Sequence, residues 1–587
     1  MPDLSLQRIW GGATAALYRF RQARWIDLLI LLALAGLFYG VLALGREWAA
    51  PGQQAVEINL SPWALPGYAL FSLSRGLIAY LLSLAFTLAY GYWAAKDRVA
   101  ERVLIPLLDI LQSIPVLGFM PGVVMALIAL FPGSNVGLEL AAILMIFTGQ
   151  VWNMTFSFYH SLRAVPADQQ EAATVYRFSW WQRLRWVELP FATIGLVWNS
   201  MMSMAGGWFF LMIIESFTLK VNGQETAYQL PGIGSYMSEA FDRWDVPAMF
   251  WAILAMVLMI VLLDQLLWRP VVAWAQKFRV EEGGAQEATQ SWFLDWLRAS
   301  HLLEWVGNQL ARLRPEEGKP SPAPPVAEPR TAPATASWVS LAFFVALLGV
   351  LLVGVVQLAR MLWAVPLGQW EAMPLAMGLT LGRVLLAVAL GTLWTLPAGL
   401  AIGRSPRLSQ LLQPAVQVAA SFPAPMLYPL AVLLFERVGL SLQWGSVFLM
   451  LLGTQWYVLF NVIAGATAIP ADLKEAAVSY RVNGWQRFWV LYGPAVFPYL
   501  VTGWVTAAGG AWNASIVAEQ LTFGTKVTGE VPPATGLGSM ITTAFDRGDF
   551  NLLAASVIVM SLLVIVFNRL VWKRMYHLAE TRFSLSK

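Results

Sequence analysis

Long apolar runs, interrupted by short polar and basic segments, recur along the whole chain. In each half, six of these runs approach the roughly 20 residues needed to cross a bilayer. They fall near 26–44, 67–95, 104–131, 138–160, 189–214 and 247–268, then near 337–360, 372–402, 409–435, 442–466, 495–518 and 550–571. Several contain Gly or Pro, such as Pro115 and Pro121 in the third, which neighbouring helices can accommodate inside a membrane. The pattern predicts an all-α integral membrane fold of about 12 transmembrane helices, arranged as two six-helix repeats.

The polar positions between the runs set the orientation. Arg8, Arg19, Arg21 and Arg24 precede the first run, Lys96, Arg98 and Arg102 follow the second, Arg177, Arg183 and Arg185 follow the fourth, and Arg269, Lys277 and Arg279 follow the sixth. These are alternate loops, which places them on the cytoplasmic side. The loop between the fifth and sixth runs carries Glu225, Glu239, Asp242 and Asp245 instead. An even number of spans per half gives both halves one orientation, so the repeat is parallel about an axis along the membrane normal. Both termini are then expected in the cytoplasm, at a bacterial inner membrane.

Composition agrees with this picture: 58% of residues are hydrophobic, 12% are charged, and there are 29 Trp. With Cys 0 there is neither a disulfide framework nor a thiolate metal site. His160, His301 and His577 match no metal spacing and no nucleophile arrangement, so neither an enzyme nor a metal or other cofactor is expected. No stripe of basic and aromatic residues points to nucleic acid. The opening MPDLSLQRIW carries the basic Arg8 but is not followed by a small-residue cleavage site, so the first run reads as a retained span.

The domain organisation reads as a first half at 1–280, a linker at 281–335 and a second half at 336–587. In the linker, Trp296, Leu303, Val306, Leu310 and Leu313 recur at helical spacing, which predicts an amphipathic helix on the inner membrane surface or against the bundle. The Pro/Ala-rich run that follows reads as an extended tether.

One segment is written twice, as VPADQQEAATVYRFSWWQRLRWVELP at 165–190 and IPADLKEAAVSYRVNGWQRFWVLYGP at 469–494. Pro166 pairs with Pro470, Glu171 with Glu475, Trp181 with Trp485 and Pro190 with Pro494 at one constant separation, which marks a duplication. Pro166 and Pro470 suit a helix entrance, and Glu171 and Glu475 put negative charge in its early turns. Ala172, Ala173, Ala476 and Ala477 leave a thin face that another protein can approach closely. The alternative is an ordinary amphipathic loop.

The duplicated segment resembles the EAA loop of membrane subunits of binding-protein-dependent ABC importers: Glu-Ala-Ala, three residues, Gly, then an apolar and basic stretch ending in Leu-Pro. This sequence departs from the pattern at the Gly, where it has Arg177 and Arg481. Either the helix continues through that point or the turn has moved to Ser179 and to Asn483-Gly484. The resemblance covers nearly all of both halves. SLSRGLIAYLLSLAFTLAYGYWAA, LTLGRVLLAVALGTLWTLPAGLAIG and SFPAPMLYPLAVLLF are similar to permeases of the nitrate/sulfonate/taurine group, and GIGSYMSEAFDRWD aligns with GLGSMITTAFDRGD.

The resemblance implies a type I importer permease with two halves fused in one chain, importing a small, anionic solute. It implies docking of two ATP-binding cassette ATPase subunits on Glu171, Ala172, Ala173 and Arg177 and on Glu475, Ala476, Ala477 and Arg481, with a periplasmic solute-binding protein on the other side. No GxxxxGK[ST] loop is present, so ATP and magnesium are expected on the partner ATPase. Contact with membrane lipids is expected all round. Two other readings of the residues are an ion-coupled secondary transporter with merely structural loops, and a non-transport membrane scaffold.

Two further pairs stand out within the apolar runs. Arg75 aligns with Arg383, and Glu215 aligns with Glu519. A guanidinium in such a place either attracts an anion near the pathway or pins its helix to carbonyls or a carboxylate. The glutamates are candidate partners for the arginines or for the docked receptor. Asp109 aligns with Gln417 and reads as a helix-packing hydrogen bond.

Overall fold

A computed structural model describes residues 25–49, 57–216, 219–221, 224–226, 230–278, 291–298, 300, 334–521 and 532–583. The first half comprises α1 (Trp25–Ala49), α2 (Leu65–Lys96), α3 (Arg98–Ser113), α4 (Val116–Leu130), α5 (Val136–Arg163), α6 (Ala167–Val175), α7 (Trp180–Glu215), α8 (Ile233–Asp242) and α9 (Val246–Phe278). A short helix, α10 (Trp292–Arg298), follows. The second half repeats the order as α11 (Ala334–Trp363), α12 (Leu367–Arg404), α13 (Pro406–Ser421), α14 (Ala424–Val438), α15 (Leu442–Thr467), α16 (Ala471–Ser479), α17 (Gly484–Ala518), α18 (Leu537–Asp546) and α19 (Phe550–Ala579). Apart from helices, the described residues hold one antiparallel hairpin, β1 (Leu219–Val221) with β2 (Gln224–Thr226).

Among the described residues, 8 helices are long and apolar enough to cross a membrane, or 10 if each of two bent pairs is one span. Helices α1 and α11 stand where the first span of each half is expected. The bent pairs correct the third span, expected as one segment. α3 and α4 meet at 94° and α13 and α14 at 83°. Pro115 and Pro423 cause the break, because a residue before proline is driven out of the helical region, and Ile114 (ψ 123) and Phe422 (ψ 128) are extended. Pro121, by contrast, is carried inside α4.

The fifth span also differs from expectation, since α7 and α17 begin inside the duplicated segment and run unbroken to the far end of the bundle. Each passes through one π turn, at Leu184–Glu188 and Phe488–Tyr492. Helix α5 packs along α2 and α7, as α15 does along α12 and α17. Small residues set these approaches: a Cβ on Gly91 would lie 2.9 Å from the Phe158 ring, and one on Gly399 2.6 Å from Val462.

The chain falls into two compact units, Met1–Ala49 with Leu262–Ala342, and Ala50–Val261 with Phe343–Lys587. In the first unit, Ser300 donates to Asp27 at 2.7 Å and Trp292 donates to Gln265 at 3.2 Å. Of the amphipathic helix expected in the linker, α10 is described, while 301–333, including His301 and most of the tether, lies outside the described residues.

The second unit holds the meeting of the two halves. Helix α4 packs against α17 and α19, and α13 and the start of α14 pack against α7. The N–H of Val116, free because it opens α4, donates to Asn513 Oδ1 at 2.8 Å.

Candidate coupling handles and buried arginine networks

At one end of the second unit stand the two duplicated segments. Pro166 (ψ 144) and Pro470 (ψ 146) are extended and open α6 and α16. Asp168 and Asp472 lie in the first turns, where the helix dipole favours negative charge. Glu171, Ala172, Glu475 and Ala476 are exposed, Ala477 is half-buried, and Ala173 is buried.

Each helix then ends in the same way. Phe178 N–H donates to Ala173 O and Arg177 N–H to Thr174 O; Val482 N–H donates to Ala477 O and Arg481 N–H to Val478 O, at 2.9–3.0 Å. These are paired closing bonds of a Schellman cap, with a left-handed residue between helix and exit. That residue is arginine in both copies, Arg177 at φ 51 and Arg481 at φ 54. Both alternatives raised for this elbow are thereby corrected: the helix does not continue, and the turn has not moved. The arginines themselves take the conformation usually left to glycine, which costs a side-chain-bearing residue about 1–2 kcal/mol.

Behind the elbows the copies are braced differently. Ser179 and Gln182 form a capping box at the start of α7, whereas Asn483 makes no side-chain cap. Glu188, buried in the π turn of α7, takes Lys96 at 2.5 Å and Arg183 at 3.2 Å. At the matching place in the second half, the Arg404 guanidinium stacks 4.4 Å from the Tyr492 ring centre. Lys96 and Arg404 end α2 and α12, so the handle is joined to the second span in both halves.

The opposite ends of α7 and α17 carry Glu215 and Glu519, roughly 50 Å away at 1.5 Å per residue. Arg75 is fully buried there. Its Nε and Nη2 donate to the two oxygens of Glu139 at 2.6 Å, and Nη1 donates to Glu215 at 2.7 Å and to Pro231 O at 2.8 Å. Ser72 Oγ and Gly234 N–H also donate to Glu215, at 2.8 and 2.9 Å. Glycine is required where the backbone closes over this carboxylate: a Cβ on Gly232 would lie 2.2 Å from Glu215 Cδ, and one on Gly536 2.2 Å from Glu519 Oε2.

In the second half Arg383 Nη1 donates to Glu519 at 2.9 Å and to Thr535 O at 2.8 Å, Nε donates to Gln443 O at 3.1 Å, and Nη2 donates to Gln443 Oε1. Thr380 takes the place of Ser72, donating to Glu519 at 2.8 Å. The structure thus joins Arg75 to Glu215 and Arg383 to Glu519, with every one of these bonds inside one half.

The sequence reading missed Glu139, Gln443 and Glu188. An acidic residue such as Glu139 inside an apolar run was itself a signal, because a buried charge needs a partner. Asp109, read as a packing hydrogen bond, is exposed instead, and Gln417 is half-buried. Among the described residues, no group of three or more His, Asp or Glu is placed to hold a metal ion.

The family model for the inner membrane component of binding-protein-dependent transport systems matches the chain twice, at residues 87–267 and 391–582, together more than half its length. A nitrate import permease of Leptolyngbya laminosa is 26% identical over 192 residues, which is 33% of this chain and 64% of that relative. A bicarbonate transport system permease of Synechocystis is 30% identical over 141 residues, 24% of this chain and 49% of the relative. The taurine transport system permease of Escherichia coli is 27% identical over 186 residues, 32% and 61% respectively. In each of these cases the chain spans less than two thirds of the relative's length.

Proposed function

The chain belongs to the inner membrane components of binding-protein-dependent transport systems, with two permease halves in one polypeptide, and from that premise we propose that it forms the pathway of an ATP-driven importer for a small anionic solute. As a subunit of this family it is not itself an enzyme. Two ATPase subunits dock on α6 and α16 and their elbows through Glu171, Ala172, Ala173 and Arg177 and through Glu475, Ala476, Ala477 and Arg481. ATP and magnesium bind on those subunits, and a periplasmic binding protein delivers solute to the opposite side. The chain lies in a bacterial inner membrane with both termini cytoplasmic.

One observation carries this reading: directly behind the elbow of each handle, α7 and α17 begin within the duplicated segment and run without a break to the far end of the bundle. A push on α6 or α16 therefore passes the elbow and reaches Glu215 or Glu519 along α7 or α17, each a continuous hydrogen-bonded rod. Relatives named for nitrate, bicarbonate and taurine, each bearing an anionic group, support the substrate class. Arg75 and Arg383 serve here as pins rather than as anion sites, because their donors are already spent on carboxylates, an amide and carbonyls. The pins hold the outer ends of the second, fourth and fifth spans in register.

The test is uptake into proteoliposomes with the cognate ATPase and binding protein added separately. Uptake should require both, and Glu171→Lys with Glu475→Lys should abolish it while the bundle stays folded. Uptake driven by an ion gradient alone, indifferent to ATPase, would show an ion-coupled secondary transporter instead.

A further inference from the structure

We propose that Asn153 and Tyr457 are the solute-contacting residues midway along the pathway, the amide N–H and the phenol O–H donating to the oxygens of an anion in transit; the inference rests on the importer reading above. The two residues match one another at the same separation as Glu215 and Glu519, Asn153 on α5 and Tyr457 on α15. Each follows by one helical turn a glycine of another matched pair, Gly149 and Gly453. Each also stands well inside its apolar span, roughly 15 Å from the cytoplasmic end at 1.5 Å per residue.

Tyr457 places this position at the seam between the halves. A Cβ on Gly510, in the tyrosine's own half, would lie 3.3 Å from Tyr457 Cε2, and one on Gly206, in the other half, 4.0 Å from the tyrosine hydroxyl oxygen. Gly206 and Gly510 are themselves a matched pair, so a side chain that reaches both stands beside the pseudo-two-fold axis. The carbonyl of Gly149 lies 3.6 Å from the same Cβ position on Gly206, which puts the Gly149 and Asn153 face of α5 towards α7 and the seam. Asn153 is exposed there, as is Gly509. Among the described residues Tyr457 accepts from Asn461 at its carbonyl, while its hydroxyl and the Asn153 amide have no hydrogen-bond partner. Other polar side chains within the spans are closed on protein, Asn199 on Ser157 and Gly195 O, and Trp504 on Thr392. An unsatisfied polar group is costly in hydrocarbon, so two of them at one matched depth point to a wet path. Neutral donors suit an anion that has to leave again, because a guanidinium on the axis would hold it by stronger, charge-assisted bonds. A cation would find only the acceptor oxygens of the same two groups.

The sequence contains no cysteine, so Asn153→Cys puts a single thiol into the full-length chain. In lipid nanodiscs that thiol is labelled with methanethiosulfonate reagents carrying either a sulfonate or a trimethylammonium group, each rate being taken relative to that with free mercaptoethanol. With Tyr457 as the remaining donor, the sulfonate reagent should react about fivefold faster on this scale, the size of one neutral hydrogen bond. Leu144→Cys, two and a half turns away on the opposite face of α5, should stay unlabelled. Adding Tyr457→Phe to Asn153→Cys should remove the preference and leave the melting temperature unchanged, because the ring still packs on Gly510. No labelling at position 153, or equal labelling at 144, would put Asn153 among lipids and overturn the proposal. A preference for the cation, no preference, or one that survives Tyr457→Phe would overturn it equally, and a fall in melting temperature with Tyr457→Phe would make the hydroxyl structural. Failure of the importer reading would show separately, as uptake indifferent to the ATPase while this labelling pattern stands.

Discussion

The buried arginine networks of the two halves have the same plan and different chemistry. In the first half one guanidinium sits between two carboxylates, Glu139 and Glu215, and all three side chains are fully buried. In the second, Arg383 meets one carboxylate, Glu519, and an amide, Gln443, and is 7% exposed. The hub arginine and the glutamate ending the fifth span are common to both, as are the hydroxyl from the second span and the glycine turn that closes over the carboxylate. The ligand from the fourth span is free to vary. The fold thus depends on where donors and acceptors stand, while the number of carboxyl groups is adjustable, and the first half keeps a second carboxyl group that the second lacks.

The largest effect should come from removing the hub. Arg75→Gln strands two buried carboxylates, and breaking a buried pair by deleting one partner costs about 3–5 kcal/mol. Arg383→Gln strands one, in a site with some access to water, and should cost distinctly less. Folded yield and melting temperature of the two single variants in detergent measure this directly. Equal losses would mean that the second carboxylate adds nothing and that the halves are mechanically alike.

Much of this comparison was legible in sequence, for a physical reason. The helical class, the repeat and the Arg75/Arg383 and Glu215/Glu519 alignments all follow from the cost of polarity in an apolar run, which composition reveals. Geometry at prolines did not follow: Pro115 breaks its span at 94° while Pro121 is carried within a helix, and only the neighbours of each residue decide which happens. The left-handed Arg177 and Arg481 were hidden because a strained residue looks, in sequence, like a residue that ends no helix. Glu188 and Lys96 were hidden by distance along the chain, since their meeting depends on the angle at which α7 passes α2.

The joint between handle and second span offers the next test. Lys96→Met leaves buried Glu188 with Arg183 alone and should cost about 1–2 kcal/mol, the penalty for a partly unsatisfied buried acceptor. Arg404→Met removes a cation–π contact with Tyr492 worth about 0.5–1 kcal/mol. The two joints should also answer differently to salt, because screening weakens the partly exposed lysine pair more than a stacked ring contact. Melting curves at low and high ionic strength, for both variants, separate the two chemistries; parallel salt responses would erase the distinction.

The smallest effect should come from making the first half copy the second. Glu139→Gln replaces a bidentate carboxyl group with an amide at the position Gln443 fills, so the weaker bonds to Arg75 are offset by the lower cost of burying an amide than a carboxylate. Arg75 keeps Glu215 and the Pro231 carbonyl, and the amide oxygen can still accept from the guanidinium, as Gln443 does from Arg383. The net change should be within about 1 kcal/mol, the difference between a charged and a neutral hydrogen bond. Melting temperature beside that of Arg75→Gln gives the measure. A variant as damaged as Arg75→Gln would show that the first half needs its second carboxylate, and that the two networks are not interchangeable versions of one device.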